Sequence, residues 1–212
     1  MFKFDLKAIE YQPKVLCWKR FRDDIFAIWN HPLHELDEFF EFMNNIDTTG
    51  KTKFIMSVAN GSVLEFLDLS LHINEHNKIC VDVYAKPTNS FTYVLPSTCY
   101  PKKNNNNVPK GIALRLRRIC DSDEKFDIRS TEYQNYLIAR NYNPSLVKRQ
   151  FQSVKNISRG EARKFKTKSK KLNHNLVTVY NPNVNNLQSV INKNLSILYS
   201  DPDMKKVFPE DI

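Results

Sequence analysis

Up to about residue 90 the apolar positions fall in short arms and alternating runs; beyond it they fall at helical spacing. Residues 3 to 10 read as the end of a helix closed by Gln12-Pro13. Two mostly apolar arms then flank Asp23-Asp24, a strand, turn and strand reaching Trp29. Asn30-His31-Pro32 opens a helix with Leu33, Leu36, Phe39, Phe40, Met43 and Ile46 on one side, and Thr48-Thr49-Gly50 ends it. Phe54 to Val58, Val63 to Ile73 and Ile79 to Tyr84 are three strand candidates, separated by Asn60-Gly61 and His76-Asn77-Lys78, and an antiparallel meander is expected. In the third, Cys80, Asp82 and Tyr84 oppose Ile79, Val81 and Val83, so one face should be buried.

After Lys86-Pro87-Thr88 the pattern changes. Pro96, Pro101 and the run Asn104 to Asn107 read as a flexible, irregular connection and as the domain boundary. Helices are predicted over 110–120, 124–140, 144–156 and 159–170. Asn143-Pro144 supplies a cap and a first-turn proline, and Ser158 with Glu161 matches a capping box. Tyr133, Tyr136, Leu137, Tyr142, Leu146 and Phe151 lie where three helices would pack as a helix-turn-helix bundle, with the turn at Asn141-Tyr-Asn-Pro. A strand over Leu176 to Tyr180 and a helix over Val184 to Tyr199 precede a tail broken by Pro202 and Pro209. The expected fold class is α+β, an antiparallel sheet followed by a mainly helical region. The expected domains are 1–91, 92–171 and 172–212.

Composition adds a core and a polarity. Hydrophobic residues make up 41% and aromatics 12%, enough for globular packing. No apolar run is long enough to span a membrane, and the start lacks the charged-then-apolar order of a secretory signal, so an intracellular chain is expected, the nucleus included. Cys17, Cys80, Cys99 and Cys120 are scattered without a Cys-x-x-Cys pair and read as reduced and mostly buried. His31 and His34 share helical spacing but have no second ligand pair, which favours loop and cap roles over a metal.

The net charge of +9 is unevenly placed. Residues 1–90 carry 10 basic and 13 acidic side chains, hence −3, whereas 102–171 carry 19 and 6, hence +13. A charge run alone is often only a solvated surface. Interleaved with aromatics and helices, this one favours a polyanion partner, most simply nucleic acid. Arg115, Arg117, Arg118, Lys148, Arg149, Lys155, Arg159, Arg163 and Lys164 are the candidate contacts, with Lys166, Lys168, Lys170 and Lys171 continuing the run.

Adjacent carboxylates in a polar turn between buried arms suit a divalent cation that bridges phosphate oxygens, which makes Asp23 and Asp24 candidate metal ligands. Three phrases occur in order: Trp-Lys-Arg-Phe-Arg-Asp-Asp-Ile-Phe-Ala-Ile-Trp from residue 18, Leu-Glu-Phe-Leu-Asp-Leu from 64, and Val-Tyr-Ala-Lys-Pro-Thr from 83. With the Leu-Arg-Arg-Ile-Cys ending of 111–120, the chain resembles the reverse transcriptase of Penelope-like retroelements over nearly its whole length. The resemblance implies an RNA-directed DNA polymerase palm holding the Asp-Asp hairpin, followed by a helical thumb gripping an RNA or DNA template-primer. It implies Mg²⁺ on Asp23 and, less directly, Asp24. Lys86, in the third phrase, is either a plain loop lysine or a contact to primer backbone.

The departures from that family point away from activity. A carboxylate from an earlier strand is required and the fingers and template grip would precede Met1; Asp5 lies only 18 residues before Asp23. Arg22 stands where the family has an uncharged residue, and its guanidinium could pair with the aspartates and weaken cation binding. The family's GIY-YIG nuclease is missing as well. The expectation is a fragment that binds nucleic acid and does not polymerise alone, from a gene model that continues beyond this chain. The alternative is a non-enzymatic helix-turn-helix nucleic-acid-binding protein that needs only the basic segment.

Overall fold

The computed structural model describes residues 2–10, 14–59, 63–164, 181 and 187–207. The chain divides into two compact units, one of residues 1–89 with 119–121, the other of 90–118 with 122–212. Helices and small antiparallel sheets make it an α+β protein with a helical C-terminal region.

In the first unit α1 (Phe2–Glu10) precedes an antiparallel ribbon of β1 (Val15–Phe21) and β2 (Asp24–Trp29). Neither strand of the ribbon alternates cleanly; Val15 is buried, and α1 and α2 (Leu33–Asn45) pack on that side. Phe4 and Ala8 of α1, Val15 of β1 and Phe39 and Met43 of α2 form the buried cluster, with Trp18, Trp29, Leu36 and Phe54 packed against it. Both tryptophan rings meet Phe39, at 6.2 and 5.4 Å between centroids. The register slips between Val15 and Cys17, a bulge that turns Leu16 outward.

A second, three-stranded sheet runs in the order β3 (Leu64–Phe66), β4 (Leu69–Ile73) and β5 (Ile79–Val83), all antiparallel. Its composition corrects the strand expectation. The apolar run Val63 to Ile73 is not one strand: the chain reverses at Leu67-Asp68, where Leu67 takes a left-handed φ of 55° without a glycine. Phe54 to Val58 forms no strand, and the backbone of Phe54 is bonded by a side chain instead. The Asn44 carboxamide accepts from the Phe54 amide at 2.7 Å and donates to the Phe54 carbonyl at 3.5 Å. Nor does β5 bury one whole face; only Val83 is buried, while Ile79 is exposed. Asp121 closes the β5 edge, its carboxylate accepting from the Val81 amide at 2.6 Å and its amide donating to the Val81 carbonyl at 3.2 Å.

The second unit begins with an irregular strap, 90–101, and continues through α3 (Lys102–Ile119), α4 (Asp123–Ala139), α5 (Pro144–Lys155) and α6 (Arg159–Arg163). The asparagine run is helical, contrary to the flexible connection expected. Asn105 is buried, and its carboxamide donates to the carbonyls of Pro96 and Thr98 at 3.2 and 3.4 Å, which satisfies a side chain that otherwise favours turns. Ser122 caps α4 and Asn143 and Ser158 cap α5 and α6 through their side-chain oxygens. Leu116, Phe126, Leu137, Val147 and Val154 are fully buried between these helices.

Helix α6 ends at Arg163, with Lys164 extended, so it is far shorter than 159–170. Helices α7 (Leu187–Tyr199) and α8 (Pro202–Val207) follow; Pro202 starts a helix at its first position. The strand expected over 176–180, the turn at 60–61, the helix stop at 12–13 and the lysines 166, 168, 170 and 171 lie outside the described residues. All four cysteines are free thiols, but only Cys120 is buried; Cys17 and Cys80 are half-buried and Cys99 is exposed, which corrects the expectation of mostly buried sites. Among the described residues no helix is long and apolar enough to cross a membrane.

Candidate nucleic-acid interface

Helices α4 and α5 pack against each other across a four-residue turn, 140–143. Asn141 adopts φ 66°, a left-handed position that asparagine tolerates better than most residues, and Asn143 and Pro144 then restart the chain as α5. Two side chains of the turn are clamped to the strap. The Arg140 guanidinium donates to the Tyr93 carbonyl at 3.3 and 3.2 Å, and the buried Tyr142 hydroxyl donates to the Val94 carbonyl at 2.7 Å. Phe91 of the strap, at φ 50°, stacks on Tyr136 with centroids 4.0 Å apart and meets Tyr133 edge-on at 5.6 Å. Burial among these groups pushes the Tyr93 hydroxyl up to about 12 and raises Tyr133 and Tyr142 too. Neither Arg140 nor Phe91 was singled out from the sequence, because a strap without regular structure leaves no periodic signal.

The candidate cations separate into two groups. Arg117 is buried at 8% exposure; its Nε donates to the Ile157 carbonyl at 2.6 Å, it pairs with Asp123, and its guanidinium lies 5.2 Å from the Phe126 ring centre. Its place was readable, since Ala113, Leu116, Arg117 and Cys120 repeat at buried helical spacing. Arg118 donates to the Ala162 carbonyl at 2.8 Å, and Arg159 donates to the Arg118 carbonyl at 3.3 Å. Together they fasten α3 to the segment that carries α6. Arg115 is half-buried, its charge reaching Tyr93 and Tyr133, and Lys155 pairs with Asp127 at 2.8 Å.

Lys148, Arg149, Arg163 and Lys164 form the other group. All four are exposed, and their side chains make no hydrogen bond or ion pair to a described residue. Two stand on α5 and two at the end of α6, where cations are also favoured by the helix dipole of a capped turn. The outward stripe of α4, by contrast, holds Glu124, Ile128, Thr131, Asn135 and Ile138 and carries no cation.

The Asp-Asp hairpin has a different character. Phe21 pairs with Asp24, so Asp24 opens β2 while Asp23 sits in the turn beside Arg22, whose φ is 55°. Both carboxylates are exposed. The Arg22 guanidinium lies 5.8 Å from the Phe21 ring centre rather than in an ion pair with either aspartate. Asp5 is locked elsewhere: it accepts from Trp18 at 3.0 Å and from Arg20 at 2.8 to 3.0 Å, and the Arg20 hydrogen bonds hold its carboxyl below the usual range. Among the described residues no three His, Cys, Asp or Glu side chains converge as metal ligands. Two exposed aspartates do not fit a two-ion site, which needs more oxygen donors than they supply.

Asp68 lies in the tight turn after β3, not on a strand, and its carbonyl accepts from the Tyr84 amide at 2.9 Å. Lys86 is exposed at the end of the first unit. His31 is half-buried with its ring 6.3 Å from that of Trp29. An open apolar groove of about 770 Å³ runs within this unit, lined by Trp18, Phe26, Phe39, Ile55 and Phe66, with Asp23 and Asp24 at its margin.

No curated protein and no solved structure matches the chain. Residues 92–152 match the family model of the animal helix-turn-helix domain, a stretch that covers most of the strap, α3, α4 and α5 through Gln152, so this part of the chain is similar to that domain.

Proposed function

We propose that the chain binds nucleic acid through its helix-turn-helix unit, with Lys148, Arg149, Arg163 and Lys164 as the phosphate contacts. The observation that carries this is the separation of the cations. The arginines of α3 hold the bundle together, and four exposed cations without a described partner remain on α5 and α6. A polyanion supplies the missing counter-charge and releases condensed counterions on binding. Fluorescence anisotropy with labelled duplex at low salt tests it: Lys148→Glu with Arg149→Glu should weaken binding at least tenfold, while Asp23→Asn leaves it unchanged. Equal affinity of the charge-reversed and parent chains would remove the proposal.

A second reading is favoured by the Asp-Asp hairpin, whose two carboxylates stand exposed at the tip of an apolar ribbon. In this reading the chain is palm and thumb of a Penelope-like reverse transcriptase, the nucleic acid is a template-primer, and the hairpin is a remnant that does not polymerise by itself. Primer extension on an RNA template with magnesium separates the two parts of the claim. Incorporation no greater than that of Asp23→Asn is expected; clear excess over it would sink the inactive remnant.

A further inference from the structure

The two exposed cations of α5 have a serine one turn behind them. Ser145 lies three residues before Lys148 and four before Arg149, the two spacings at which side chains on a helix are neighbours. All three are exposed, and their side chains make no hydrogen bond or ion pair to a described residue. The other serines and threonines of α3 to α6 and their caps are engaged or hidden. Ser122 and Ser158 cap helices, and Ser130 is buried. Ser153 donates to the Gln150 carbonyl at 2.7 Å and Thr131 to the Asp127 carbonyl at 3.0 Å. The first-turn amides of α5 are taken as well, since the Asn143 side-chain oxygen accepts from the Ser145 and Leu146 amides at 2.9 and 3.1 Å. An anion carried on the Ser145 oxygen therefore has Lys148 and Arg149 as its partners.

We infer that Ser145 is a phosphorylation site for a serine/threonine protein kinase, and that the phosphate releases nucleic acid by pairing with Lys148 and Arg149. The inference rests on the nucleic-acid reading above and names the regulation of that same surface. In the step itself the Ser145 Oγ attacks the γ-phosphorus of ATP, its proton passes to a base of the kinase, and ADP leaves. The product carries about 1.5 to 2 negative charges at neutral pH and three strong acceptor oxygens. Those oxygens match an ammonium beside a guanidinium, and the guanidinium can hold two of them at once. With their counter-charge supplied from within the chain, two of the four proposed contacts no longer draw a polyanion, and the phosphate repels one. Ser145 follows the extended Asn143, at φ −61° and ψ 121°, and so sits at an end of α5, where helices open most readily to an enzyme.

The full chain with phosphoserine genetically encoded at position 145, titrated beside the parent with labelled duplex over a salt series, tests this. Phosphorylation should weaken low-salt binding roughly tenfold or more and bring the salt slope from about −3.5 to about −2. Thr131→Glu, which adds charge on the cation-free stripe of α4, should leave the slope alone. Phosphorus NMR gives a reading that needs no nucleic acid. The second ionisation of the phosphoserine should fall below its ordinary value of about 6, and return to it when Lys148→Ala and Arg149→Ala are added. Mass spectrometry of the parent after treatment with ATP and a panel of serine kinases that favour basic sites should find phosphate on Ser145. No phosphate there, an ordinary phosphoserine ionisation, or equal binding by the phosphorylated and parent chains would each overturn the inference and leave the nucleic-acid reading standing. Equal weakening by Thr131→Glu would overturn it too, because net charge and not pairing would then be the cause, while a parent chain that binds no duplex would remove both. Helical circular dichroism equal to the parent's is required of each variant, and Ser145→Glu, with about half the charge, should shift affinity and slope the same way by less.

Discussion

The two units bury their apolar residues to different degrees. In the helical unit Leu116, Phe126, Leu137, Val147 and Val154 are sealed although Ile128 and Ile197 are more than half exposed; in the hairpin unit Ala8, Val15 and Met43 are buried, but Ile55 is 95% exposed and Leu16, Phe21, Ile73 and Ile79 are all more than half exposed. Capped helices satisfy their own backbones and need only one another's faces. Strands leave edge groups and a second face that only another element can cover, and β3 and the ribbon have such edges beside the open groove. The difference teaches where stability and where dependence reside: five large apolar side chains are sealed between the helices, and the hairpin unit keeps an open apolar groove.

The largest expected effect tests that closure directly. Leu137→Ala should destabilise the helical unit by about 3 kcal/mol, the usual range for emptying a sealed leucine site, while Ile55→Ala should change the hairpin unit by less than about 0.5 kcal/mol. Urea unfolding, followed by helical circular dichroism for the first and tryptophan fluorescence for the second, measures both. Equal losses would erase the contrast. Next comes Arg117→Ala, expected to cost about 2 kcal/mol because it strips a buried carbonyl and Asp123 of their donor, against a negligible change for Lys148→Ala. Comparable losses for the two lysine and arginine variants would mean that the cations do not separate as described.

The smallest effect concerns pH. Depressed carboxyls lie in the hairpin unit and the largest rise of a tyrosine in the helical unit, while Tyr84 of the hairpin unit is raised too by its hydrogen bond to Glu65. Asp5 lies below its ordinary 3.8 because Arg20 hydrogen-bonds the carboxylate, and Asp47 is held at about 2 by the Thr49 side chain and the Thr49 and Thr52 amides. Depressed carboxyls stabilise the hairpin unit above the unfolded value, and that contribution is lost as the pH falls through the folded one. In the helical unit the Tyr93 hydroxyl is raised from 10 to about 12 by burial, so its contribution is intact below 10 and is lost as the pH rises towards 12. Both tryptophans, Trp18 and Trp29, lie in the hairpin unit and make fluorescence its reporter. Acid should move tryptophan fluorescence before helical ellipticity, and alkali should do the reverse; a single shared transition at both ends would contradict the assignment.

Helix starts were the most legible part of the chain. Asn143 with Pro144 and Ser158 with Glu161 mark α5 and α6 through short-range chemistry that the fold leaves in place. The Asp-Asp hairpin was legible for a similar reason, as polar turn and apolar arms agree. Two of the misreadings share a cause, a hydrogen-bond partner outside the local pattern, and a third is a turn without turn residues. Asn105 is helical because Pro96 and Thr98 offer carbonyls, Phe54 is not a strand because Asn44 takes its backbone, and Leu67 turns although nothing in its own type favours a turn. The site follows the same division. Charge counting found the basic segment, but only packing separates Arg117, Arg118 and Arg159, which bond to carbonyls, from Lys148, Arg149, Arg163 and Lys164, which do not.

The dependence of duplex affinity on salt tests the central claim most directly. Four phosphate contacts predict that the logarithm of the association constant falls against the logarithm of salt with a slope of about −3.5. Lys148→Ala with Arg149→Ala should bring that slope to about −2, whereas the pair Asp23→Asn and Asp24→Asn should leave it alone. A flat dependence for the parent chain, or a slope unchanged by loss of the two α5 cations, would contradict the account.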